Sequence, residues 1–181
     1  MSRNYKFHNS EGLYFVSFAT VFWIDVFVRL EYFDCLVKNL NYCVANKGME
    51  IYAYCIMPSH IHLVYRSTIQ KPEDLLRDFK SQTSKQLIKL INESNQESRK
   101  EWMLNAFKKA GFKNSNNPGN QFWQQHNKPI ELWSNAVIQQ KIDYVHDNPV
   151  VAGLVESDYE YLHSSARDYS GTKGLVEVIT T

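Results

Sequence analysis

Two histidines, His60 and His62, flank one isoleucine in PSHIHLVY (58–65), a run that otherwise reads as an apolar strand. On a strand, residues i and i+2 point to one side. His60, His62, Val64 and Arg66 therefore share a face, and Ile61, Leu63 and Tyr65 share the other. With helices over the Ile61 face, both imidazoles project together from the opposite one. Neutral imidazole nitrogen suits first-row divalent ions, so the pair can grip one metal. Two histidines facing water would give the same pattern, and only a third ligand separates the readings.

A second constellation is KIDYVHDNPVVAGLV (141–155). Helical spacing puts Ile138, Ile142 and Val145 on an inward stripe. Tyr144 falls roughly opposite Ile142, on the side of Val137, Gln140, Lys141, Asp147 and Asn148. Asn148 lies four residues on and Asp147 three, within reach of the tyrosine on a helix surface. With eleven tyrosines in the chain, an ordinary amphipathic tyrosine is the plainer alternative.

The elements that must position these groups follow from the pattern of apolar residues. LYFVSFATVF (13–22) and EIYAYCIM (50–57) read as strands, and HIHLVYR (60–66) as a third joined to the second by a tight Met57-Pro58-Ser59 turn. Leu30, Phe33, Val37, Leu40 and Val44 mark a helix over 29–47, stopped by Gly48. Pro72, Glu73 and Asp74 open a long helix with an apolar stripe from Leu75 to Ile91. A polar break over 92–101 precedes WMLNAFKKAG; KNSNNPGN (113–120) reads as a loop and QFWQQHN (121–127) as a fourth strand. Ser134 caps a helix over 135–147 that Pro149 should end. The order β-α-β-β-α-β plus a helix predicts an α+β fold: a ferredoxin-like antiparallel sheet, helices on one face, and a C-terminal helix carrying the tyrosine.

Bulk properties limit the function less. The chain of 181 residues suits one domain, 1–181, with an N-terminal arm (1–11) and a C-terminal tail (153–181). No apolar run reaches the roughly 18–20 residues of a membrane helix, and the start, MSRNYKFHNSEG, lacks a signal peptide's apolar core. Cys35, Cys43 and Cys55 fit no metal-ligand spacing and read as buried thiols, which points to a reducing, cytoplasmic setting. Net charge is +1, so a nucleic-acid partner must be argued from local features.

Together, PSHIHLVY and DYVHDNPVVAGLV resemble the His-hydrophobic-His motif and the tyrosine segment of the HUH single-tyrosine DNA transposases. FKSQTSKQL (79–87), QFWQQ (121–125) and YEYLHSSARDY (159–169) resemble the branch of REP-associated tyrosine transposases. The likeness runs from about Gly12 to Val178; Pro58-Ser59 stands where Ser-Asn would be expected, in a turn that should leave the ligands intact. It implies a transposase acting on single-stranded DNA, at hairpin-bearing element ends, in association with the nucleoid. His60, His62 and Asn148 would be metal ligands for Mg²⁺ or Mn²⁺. Tyr144 would attack a phosphate to leave a 5′-phosphotyrosine and a free 3′-OH. Some members are homodimers that exchange the tyrosine helix, and others work as monomers.

Arg66, Arg77, Lys80, Lys85 and Lys141 are the candidates for phosphate contact, with further cations over 99–113. Solvated helix faces would carry the same charges. Trp123 and His126 could stack on unpaired bases, although Trp123 equally suits a core. Two other functions stay open: a domesticated hairpin-binding protein of the same fold, and an unrelated metal hydrolase indifferent to Tyr144.

Overall fold

In β1 (Tyr14–Ala19), Tyr14, Val16 and Phe18 alternate with Phe15, Ser17 and Ala19, so each face of the strand packs differently. The computed structural model describes residues 6–112 and 119–180. It contains β2 (Met49–Ile56), β3 (His60–Ser67) and the two-residue β4 (Ile130–Glu131). All pairings are antiparallel, and the sheet order is β2-β3-β1-β4. Helix α1 (Leu30–Lys47) links β1 to β2, while α2 (Pro72–Glu93) and α3 (Lys100–Phe112) lead from β3 towards β4. This is the expected ferredoxin-like arrangement.

Register decides which side chains share a face. Ser17 lies opposite His62 and Ala19 opposite His60, with Cys55 on the other flank of His62. Small neighbours on both sides leave the imidazoles room. The opposite face carries Val16, Phe18, Ile61, Leu63 and Tyr65 into the main core, against Leu36 and Leu40 of α1 and Leu76, Phe79 and Leu87 of α2. A smaller core on the histidine face joins Phe15, Ala53, Cys55 and Val64 to Ile142 and Val145 of α4 (Asn135–Val151). The cysteines are buried free thiols.

Several boundaries differ from expectation. β1 ends at Ala19, and residues 20–22 leave the strand. The inward stripe of α1 is rotated: Tyr32, Phe33, Leu36, Leu40 and Cys43 are buried, while Leu30 lies in solvent. The fourth strand is not 121–127. That segment is tied beside β1 by hydrogen bonds from Val21 N to Phe122 O, Gln124 N to Ala19 O and Ser17 N to Asn127 O, and the short β4 follows it. Pro149 does not end α4, which runs on to Val151. A proline this near the end removes a single helical hydrogen bond. The expected 113–120 loop lies mostly outside the described residues.

The tail runs along the otherwise open edge of β2. Ile56 N donates to His163 O, Ser165 N to Tyr54 O and Ile179 N to Ile51 O, and the Tyr161 and Tyr169 hydroxyls reach the Ile56 and Tyr52 carbonyls. Covering an edge strand in this way removes a template for unwanted pairing.

Candidate functional site

Both histidines project from β3 towards α4, and the structure brings Tyr144 to them. The His60 and His62 rings are nearly perpendicular, with centroids 4.8 Å apart. The Tyr144 ring meets His62 edge-on at 5.4 Å and Phe15 at 5.7 Å. Phe15 stacks on His62, 15° from parallel at 5.8 Å, so the three rings touch pairwise. The tyrosine thus has one flank packed, yet stays 47% exposed and open to a substrate.

His62 is 4% exposed, and neither ring nitrogen has a hydrogen-bond partner of good geometry among the described residues. Leaving a buried polar atom unsatisfied costs about 1–3 kcal/mol, so such a ring needs an explanation. Burial pushes its pKa down to about 3, helped by His60 and Lys141 and opposed by Asn148. The imidazole is therefore neutral at physiological pH, with a lone pair available. Asn148 influences the ring with the sign expected of its carboxamide oxygen, but without the geometry of a hydrogen bond. Its Nδ2 donates instead to Tyr144 O at 2.5 Å, which leaves the oxygen free to serve as a donor atom. His60 is also shifted down by burial, with Asp25 opposing. Its Nδ1 lies 3.1 Å from Ser59 Oγ. With Nδ1–H donating to that oxygen, Nε2 is left as the ligating nitrogen. Two imidazoles and one amide oxygen thus fit a divalent ion. No cluster of three His, Cys, Asp or Glu that could hold a metal ion exists among the described residues.

The cations fare differently. Lys141 Nζ sits 5.1 Å from the Phe15 ring centroid and 5.2 Å from that of Tyr144, at the site itself. Lys85 is exposed on α2. Arg66 is paired with Glu50, and Arg77 with Asp74 and Asp78. Two assignments are corrected. Lys80 is half-buried, bonds to Gln124 O and Asn127 Oδ1, and is pushed down to about 7 by burial, so it pins 121–127 rather than meeting a phosphate. Trp123 is 5% exposed, with Nε1 donating to Thr83 Oγ1, and has no face for a base.

Three contributors escaped the sequence reading. Ser59 does more than turn the chain, because it orients His60. Phe15 builds one wall of the site, and Trp23 meets His60 edge-on at 5.4 Å. Ser59 could have been found as the polar neighbour of a ligand; the two aromatics carry no local signal. His146 is buried and bonds Ser165 Oγ at 2.8 Å, which anchors α4 to the tail.

Residues 31–116 match the family model described as "Transposase IS200 like". Over this stretch, a little under half of its length, the chain is similar to the IS200-like transposases. The matched stretch contains both histidines and stops before the tyrosine helix. A solved structure of a REP-associated tyrosine transposase bound to a REP hairpin superposes with a TM-score of 0.66 at 16% identity. It covers 99% of this chain and 92% of that one, so the fold is shared end to end. A crystal structure of a candidate transposase from Deinococcus radiodurans R1 aligns at 23% identity over 81% of this chain and 97% of that one. Its TM-score of 0.45 supports no argument. Comparison with curated proteins finds no match. No helix among the described residues is long and apolar enough to cross a membrane.

Proposed function

We propose that this protein is a transposase that cuts and rejoins single-stranded DNA with Tyr144 as nucleophile, beside a divalent ion held by His60, His62 and Asn148. One observation carries the reading: an accessible tyrosine packs on a buried histidine whose nitrogens make no hydrogen bond of good geometry among the described residues. A hydrolase working through water would have no need of that tyrosine. Bound there, Mg²⁺ or Mn²⁺ would polarise the scissile phosphate and offset the charge that develops on its oxygens.

The protein's own residues do the rest. Phe15 and His62 fix the Tyr144 ring, so its hydroxyl is presented in one orientation. Tyr144 Oη forms the new bond to phosphorus as the bond to the 3′ oxygen breaks, and that oxygen leaves as a free 3′-OH. The phenolic proton is released as the phosphotyrosine forms. Lys141 supplies positive charge next to the nucleophile and the phosphate. The ester stays attached to the 5′ side, so a second 3′-OH can reverse the step without ATP. Tyr144 and the histidines meet within one chain, which supports a site that is complete without a partner subunit.

Hairpin-bearing ends are the proposed substrate, in keeping with the REP hairpin bound by the structural relative. Labelled single-stranded oligonucleotides from the flanking DNA, with and without their hairpins, test this. Nicking should require Mn²⁺ or Mg²⁺, vanish in EDTA and fall at least about a hundredfold in His62→Ala. Hairpin binding with no nicking under either ion would instead mark a DNA-binding protein that has lost its chemistry.

A further inference from the structure

We infer that Phe22, Trp23 and Trp102 form a stacking site for an unpaired base next to the metal-ligand candidates. This rests on DNA being the substrate, and adds where the strand lies. Phe22 and Trp23 are consecutive aromatics with φ of 58° and 55°, and both are more than half exposed. Non-glycine residues rarely adopt this left-handed backbone, and two in succession persist only where the surroundings over-determine them. Here the lock is Thr20, which is fully buried. Its carbonyl accepts from Trp23 N and Gln124 Nε2, and its hydroxyl lies 2.8 Å from Ile24 O and 3.1 Å from Ser59 O. The strain turns two large rings outward when a buried position would have stabilised the fold.

Trp102, 57% exposed, projects from α3 across the gap. The three rings border a cavity of about 640 Å³ together with Asp25, Arg99 and Lys109. That is room for a base. Arg99 is held in place by Glu97 and by donating to Asp25 O, so one wall of the cavity is a fixed guanidinium. Aromatic faces bordered by cations suit a nucleotide, whose base stacks while its phosphate meets positive charge. A base within duplex DNA hides both faces and could not enter. Trp23 also touches His60, so the cavity adjoins the proposed cleavage site and the same strand can occupy both.

Two probes of equal charge separate stacking from electrostatics: fluorescent single-stranded dT10 and an abasic decamer. Binding is measured by anisotropy in EDTA, where no cleavage enters. The wild-type protein should bind dT10 at least about tenfold more tightly than the abasic chain. Trp102→Ala and Phe22→Gly should weaken dT10 binding about five- to hundredfold without changing the abasic affinity, and Trp102→Phe should retain most of it. Both positions face solvent, so an unchanged melting temperature confirms that the fold survives. Equal affinity for the two probes, or dT10 binding unaffected by Trp102→Ala, would overturn the stacking site. Neither result bears on whether Tyr144 cleaves DNA.

Discussion

His62 shows how little of a residue's role its type reveals. As sequence it is one half of a common dipeptide pattern. In the fold it is buried and neutral, has no hydrogen bond of good geometry among the described residues, and packs against both Phe15 and Tyr144, which also touch each other. The alternation rule already put both histidines on one face, and the helix period put Tyr144 near Asn148. What they pack against depends on which face of the sheet α4 covers, and no local pattern encodes that. Lys80 and Trp123 were illegible for the same reason, since their burial depends on where 121–127 docks. Ser59 gives a prediction at this scale. Losing its hydrogen bond frees the His60 ring to rotate, so Ser59→Ala should lower Mn²⁺ affinity about tenfold by calorimetry. An unchanged affinity would mean that Ser59 does not orient the ligand.

At the scale of elements, α4 must hold Tyr144 and Asn148 in register with β3. Ile142, Val145 and His146 anchor it, and the last reaches Ser165 in the tail. Ser165 Oγ also accepts from Tyr54 N, so one hydroxyl joins helix, tail and β2. Ser165→Ala should cost about 1–3 kcal/mol in urea unfolding, because it strands His146 and the Tyr54 amide. A cost near zero would show that α4 is positioned by apolar packing alone. The sequence located the helices and the hairpin well, because long periodic runs and a proline turn are strong signals. It misplaced the fourth strand, since two residues of pairing leave almost no pattern. It also ended α4 early at Pro149, a residue that a helix tolerates close to its end.

For the whole molecule, buried neutral histidines predict acid sensitivity. Burial pushes His62 down to about 3 and His163 to about 4, the latter against a smaller opposing effect of Asp34. Their ordinary value is near 6.5. The unfolded chain therefore binds protons first as pH falls, and stability should drop between about pH 6.5 and 4. From pH 6.5 to 5 each histidine contributes at most about 2 kcal/mol, at about 1.36 kcal/mol per unit. Urea unfolding at pH 7 and pH 5 checks this, and equal stability would argue that both rings already reach water. Sequence gave no hint of this, because His163 becomes buried only when the tail lies along β2 and stacks it on Phe33. The central claim is tested most directly on the intact protein, incubated with Mn²⁺ and labelled single-stranded element ends, then denatured and digested. The account predicts DNA covalently attached to the peptide that contains Tyr144, and no adduct with Tyr144→Phe. Cleavage that persists in Tyr144→Phe, or an adduct on another residue, would contradict it.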